Sequence, residues 1–316
     1  MSVRHGRKQD AAAVVLLLFF VGQPGAAQPK RLPKAPPSPS AVHSGYVRIL
    51  CEEAGLEEAI RRIKVIPKID PAIAKSFALS RKGDQAGALA TLDGIPKPIA
   101  KVPTRFLYWE LRGYIQKKVG DLPAARHSFR ELLTLGGTDT SRVELQAWRF
   151  LQEVGEKPAA AEGNRVLGVV VQVNTAGHAM AVAGYADGNS RFSNDAGAVL
   201  LGDRSTYPQE IRNAAEYLSR ASGKYLDQLP LQGDCSSPGP GEVKLALLTP
   251  AGIHTGTVFY ESLKKSDHPL HGLWTVSNHL IGLSLNYYKK LADDRARPGK
   301  LPDAKPTGPS KSGPHR

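Results

Sequence analysis

GYADGNSRFSNDAG, residues 184–197, holds two Asp, two Asn, an Arg, two Ser and three Gly. Such a stretch is either an ion-binding loop or the turns of a small sheet. A calcium loop needs oxygen ligands at alternate positions and a glycine at the sixth. Counted from Asp187, Asn189 keeps that pattern, but Arg191 and Phe192 take the next ligand position and the glycine position. The polar residues fall instead where turns need them. Asp187-Gly188 supplies positive φ for a hairpin, and Asp195 to Gly197 makes a second turn. The flanking segments then read as strands: RVLGVVVQVN (165–174), AMAVAGYA (179–186), SRFSN (190–194) and AVLLG (198–202). A β-meander is predicted.

Downstream, TYPQEIRNAAEYLSRASG (206–223) reads as an amphipathic helix. Thr206 with Gln209 forms a capping-box pattern, and Ile211, Ala214, Ala215 and Leu218 form its apolar face. EVKLALLTPAGIHTGTVFY (242–260) reads as a hairpin turned at Thr249 to Gly252. DHPLHGLWTVSNHLIGLSLNYYKK (267–290) reads as a last helix. Its stripe is Leu270, Leu273, Trp274, Ser277, Leu280, Ile281 and Ser284. The order predicts an antiparallel sheet over residues 164–291 with two helices on one face.

Residues 46–155 have a different texture, with one helical pattern after another. Asp70 is the expected N-cap of DPAIAKSFALSRKG (70–83), with Pro71 at its first position. Gly83-Asp84 and Gly120-Asp121 mark short turns 37 residues apart, a period typical of helical-hairpin arrays. The fold class expected is α+β in two domains, with helical hairpin repeats before the sheet.

The helical part resembles the tetratricopeptide repeat. Trp109, Gly113, Gly120, Ala125 and Phe129 stand at that family's Trp, Gly, Gly, Ala and Phe positions. Arg112 replaces its usual Leu, and Gly137 its usual Pro. The resemblance implies an α-solenoid fragment that binds a protein or peptide. It also implies that the first helix of a unit lines the contact face, so exposed members of Tyr108, Arg112 and Tyr114 become partner-binding candidates. The segments GVVVQV, GYADGNSRFSNDAG and KLALLTPAGIHTG resemble a domain of exported bacterial proteins. The topology is also similar to profilin-like and roadblock-like binding domains, an analogy of fold alone.

The ends of the chain carry their own signals. A basic start, the apolar run Ala11 to Val21 and small residues up to Ala27 predict a signal peptide over 1–27, cut before Gln28. That run is well short of the roughly 20 residues a spanning helix needs. Export to a periplasmic or extracellular location is therefore expected, with no integral membrane span. Residues 28–45 read as a Pro/Lys-rich linker, and 292–316 as a disordered basic tail. Much of the net charge of +13 lies in these ends, with +5 in residues 1–45 and +3 in 292–316. A basic face for nucleic acid is not expected. In an oxidising compartment Cys51 and Cys235 could bridge. Burial as two free thiols is the favoured expectation, because Cys is often buried for packing alone.

Catalytic motifs are sparse. Ser262 to Lys265 matches S-x-x-K, and His254 to Gly256 resembles a K-T-G strand. Their order is the reverse of that in acyl-enzyme families, and no element lies between them. His254, His268, His271 and His279 gather late in the chain, but without H-E-x-x-H or paired-Cys spacing. No phosphate loop or dinucleotide fingerprint is present. No cofactor, metal site or catalytic residue is expected. The leading expectation is an exported scaffold or protein-binding protein. The alternative is a periplasmic hydrolase or metal-dependent enzyme with its site near His254, His268 and His271.

Overall fold

The computed structural model describes residues 47, 50–51, 56–63, 69–97, 99, 102–135, 140–175, 178–196, 198–201, 205–231 and 235–296. The expected signal peptide and the linker lie outside these residues, as does the chain after 296. From Leu56 on, the described helices of the first part are α1 (Leu56–Ile63), α2 (Pro71–Arg81), α3 (Gln85–Asp93), α4 (Val102–Lys118), α5 (Leu122–Leu133) and α6 (Thr140–Glu153). A short α7 (Ala160–Gly163) leads into β1 (Gly168–Thr175), β2 (His178–Tyr185), β3 (Ser190–Asn194) and β4 (Val199–Leu201). Helix α8 (Gln209–Ser222) runs into a 3₁₀ turn. The strands β5 (Glu242–Thr249) and β6 (Gly252–Phe259), a short α9 (Tyr260–Leu263) and α10 (His271–Ala296) complete the order. Helix α10 continues past the boundary expected at 291. Among the described residues no helix is long and apolar enough to cross a membrane.

One turn is used three times in the helical part. Gly83, Gly120 and Gly155 adopt φ of +89°, +84° and +81°. Each donates its N–H to the carbonyl three residues back, at 3.1, 3.1 and 3.0 Å. The next residue (Asp84, Asp121 or Glu156) donates to the carbonyl five back, at 3.1, 2.9 and 2.9 Å. This is the left-handed C-terminal cap that glycine adopts without a Cβ penalty. After the first two turns an aspartate starts the next helix. Asp84 Oδ1 accepts from Gly87 N at 2.8 Å, and Asp121 Oδ1 from Ala124 N at 3.1 Å. After the third turn Glu156 pairs with Arg130 instead. The four-residue α7 follows, and the chain enters the sheet. Asp70 caps α2 through Ala72 N, as its sequence predicts.

The six strands form one antiparallel sheet ordered β4-β3-β2-β1-β5-β6. Strand β3 has the residues read from the sequence. Alternation in β1 and β5 sends Val169, Val171, Val173, Val243, Leu245 and Leu247 to one face, where α8 and α10 cover them. The expected α10 stripe from Leu270 to Ser284 is buried throughout. The Thr206–Gln209 capping box does not form. Pro208 takes the N-cap position with φ −52° and ψ 150°, which leaves Thr206 outside the helix. The Gln209 side chain donates to Asn213 Oδ1 instead.

The second face of the sheet is covered too, which the sequence pattern does not predict. Val170, Ala181, Ala183, Tyr185, Ala246 and Leu248 pack with Val47, Leu50, Leu145 of α6 and both cysteines. Burial on both faces explains why β1 is apolar almost without alternation. The cysteines are bridged, with Cα atoms 6.4 Å apart, so the free-thiol expectation is overturned. The physical reason is topological. Pairing of β5 with β1 carries the preceding segment onto the second face, where the chain around Leu50 already lies. There Gln172 Nε2 donates to Cys235 O at 3.2 Å, and Tyr185 Oη donates to Leu50 O at 2.8 Å.

The opening stretch has a structural task. Asp187 Oδ2 accepts from Ser141 N at 3.0 Å, while Asp187 N donates to Ser141 Oγ at 3.0 Å. The β2–β3 turn thus caps the start of α6 from 46 residues away in sequence. Asp187 Oδ1 also accepts from Asn189 N, and Asp195 Oδ2 accepts from Ala179 N. Both aspartates are occupied by backbone, as turn residues should be.

Two stability outcomes follow. The bridge closes a ring across a separation of 184 residues, which in the chain-entropy description is worth about 5 kcal/mol. The Cys51→Ser/Cys235→Ser variant should lose about 2–5 kcal/mol in denaturant melts run without reductant. Asp187→Ala should cost about 1–2 kcal/mol by removing a helix cap and a turn contact. An unchanged midpoint would rule out the cap.

Candidate partner-binding face on α4

Helix α4 is held by close approach. A Cβ built on Gly113 would lie 2.3 Å from Phe129 Cε1. Only glycine lets α5 press its buried Phe129 ring against α4 there. Ser128 Oγ donates to Gln116 Oε1 at 2.6 Å one turn further along, and the Phe129 and Phe150 rings meet at a 48° tilt with centroids 5.3 Å apart. The α4 backbone is therefore fixed between α5 and its other neighbours.

The three expected contact residues do not form one patch. Tyr108 is fully buried, with its ring edge to face with Trp109 at 4.8 Å. It therefore drops out as a contact residue: position 108 faces the helical core. Its hydroxyl accepts from Arg112 Nη1 at 3.2 Å. Arg112 also pairs with Asp93 at the end of α3. Tyr114 lies roughly 200° round the helix from Arg112, so it faces elsewhere. Its hydroxyl donates to Glu57 Oε2 of α1 at 3.2 Å, and the Lys118 ammonium sits 5.3 Å from its ring centroid. Burial, helped by the Glu57 carboxylate, raises the Tyr114 phenol above its ordinary value, so it stays a donor. The Glu57 hydrogen bond raises the Lys118 ammonium in turn.

The structure gathers a different set. Arg105, Trp109 and Arg112 follow one another at helical spacings of four and three, so they share a face. Trp109 is half-buried, with His127 of α5 edge-on at 6.1 Å. The Lys97 ammonium stands 5.5 Å from the Tyr108 centroid and 6.0 Å from that of Trp109. The spacing of Arg105, Trp109 and Arg112 was readable in the sequence. The return of Lys97 to this face was not.

The histidines do not converge. His254 Nδ1 contacts Leu229 O at 3.0 Å on the β6 edge. His268 Nδ1 accepts from Leu270 N at 3.1 Å, ahead of α10. His271 Nδ1 contacts Leu263 O at 2.8 Å. His279 is exposed on α10. Each of the first three is engaged by nearby backbone. Among the described residues no group of three or more His, Cys, Asp or Glu is placed to hold a metal ion.

Comparison with known proteins gives no matching family model, no matching curated protein and no matching solved structure.

Gly113→Val should destabilise by about 1–3 kcal/mol, because Phe129 has no free space to enter. A midpoint within error of the parent would show that α4 and α5 are not locked here. His268→Ala/His271→Ala should lower stability by about 1 kcal/mol per lost hydrogen bond. The zinc content of the purified protein should stay the same; a drop in bound zinc would revive the metal reading.

Proposed function

We propose that this chain is an exported binding or scaffold protein whose helical part, similar to tetratricopeptide repeats, contacts a protein or peptide partner. The observation that carries the reading is the α4 face. A half-buried indole with cations at its rim is held on a helix that tight packing keeps rigid. Large aromatic and Arg side chains of this kind dominate protein contact energetics. The thrice-used glycine turn supports an iterated hairpin architecture, which offers an extended face for a partner. The sheet part supports this face through α6. Catalysis has less support, since the candidate histidines are each tied to nearby backbone and not aimed into one cleft. Export is supported by the Cys51–Cys235 bridge, because disulfides persist in oxidising compartments. The signal peptide read at residues 1–27 points the same way.

The test is site-specific photo-crosslinking with the full chain in an extract of its source cells. A crosslinking residue is placed at Arg112 and, separately, at Tyr217, an exposed aromatic on α8. One discrete adduct from position 112 and none from 217 is the expected outcome. Equal labelling from both positions, or none from 112, overturns the reading.

A further inference from the structure

Arg105 stands out among the cations of the helical part. Its Nε is buried and has no hydrogen-bond partner. No hydrogen bond or ion pair of its side chain is present among the described residues. An arginine drawn half into the protein without a carboxylate is costly unless something else completes it. One helical turn away lies Trp109, and over that indole stands Lys97, exposed and, among the described residues, held by ring contacts alone. The third cation, Arg112, is already paired with Asp93. Among the described residues, Lys97 and Arg105 have no carboxylate partner, while Arg112 has Asp93.

We propose that the Lys97–Arg105–Trp109 patch binds an acidic protein segment that carries an apolar side chain. The partner's carboxylate would pair with the two outer Nη groups of Arg105, which, unlike the buried Nε, are not enclosed by the protein. A second carboxylate would meet Lys97. The apolar side chain would cover the accessible part of the Trp109 ring, displacing water from it. The patch is one helix face wide, which fits a peptide segment and not the long basic stripe that a nucleic acid needs. This proposal rests on α4 being the contact face and adds the chemistry of the partner.

The protein carries its own probe. Of its three tryptophans, Trp148 and Trp274 are buried and Trp109 is the accessible one. Acrylamide quenching of the full chain therefore reports chiefly on Trp109. A synthetic Glu-rich peptide with one Leu should protect the fluorescence, and its Lys-for-Glu counterpart should not. Lys97→Glu/Arg105→Glu should weaken the Glu-rich peptide by about tenfold per charge reversed. Lys97→Arg/Arg105→Lys should retain it, and Lys97→Gln/Arg105→Gln should fall between. Three results overturn the proposal: no protection by the acidic peptide, protection insensitive to the charge reversals, or stronger protection by poly-dT than by the peptide. If crosslinking at 112 gives a discrete adduct while the Glu-rich peptide fails, the face stands and its acidic chemistry falls. If crosslinking also fails, the face itself falls.

Discussion

Helix α6 is buried on two sides at once, and the arrangement of the chain depends on that double burial. Ala147, Trp148, Phe150 and Leu151 pack into the helical core. Leu145 packs against the second face of the sheet. Polar contacts fix the same helix at both ends. The β2–β3 turn caps its start through Asp187, and near its end Gln152 Nε2 donates to Pro250 O at 2.7 Å. Between them the Arg142 guanidinium lies 5.9 Å from the Tyr185 ring centroid. A helix shared in this way cannot rotate to improve one core without spoiling the other, because interiors are close-packed. The second face of the sheet therefore rests on the side of α6 that carries Leu145.

Much of the sheet part was legible because its signals are local. Asp-Gly at 187–188 is a turn signal that needs no distant partner, and the short segments on either side read as its strands. The α10 stripe was equally clear, since its period needs only neighbouring turns of one helix. The failures share a cause. The bridge between Cys51 and Cys235, the covering of the second sheet face and the capping of α6 by Asp187 all join residues far apart in sequence. Their existence depends on strand order, which periodicity does not encode. The third glycine turn, at Gly155, was hidden for a smaller reason. Glu156 stands where the two earlier turns have Asp, and only the four-residue α7 follows.

The same contrast applies to the α4 face. The repeat resemblance points to Tyr108, Arg112 and Tyr114 because all three lie on the first helix of a unit. Position around the axis decides otherwise: Tyr108 points into the core, and Tyr114 turns to α1. The residues that do gather include Lys97, which belongs to the segment after α3 and returns over the indole. Helical spacing reveals which residues of α4 share a side. What the chain lays against that side is a tertiary fact.

The buried bridge has a consequence for how the molecule carries force. Covalently, the path from one end of the chain to the other runs through Cys51 to Cys235 and bypasses everything between them in sequence. That bypassed ring contains α1 to α8 and strands β1 to β4. Tension applied at the two termini is borne only by the segments outside the ring, among them β5, β6 and α10. The α4 face would keep its shape under a pull that had already peeled those elements away.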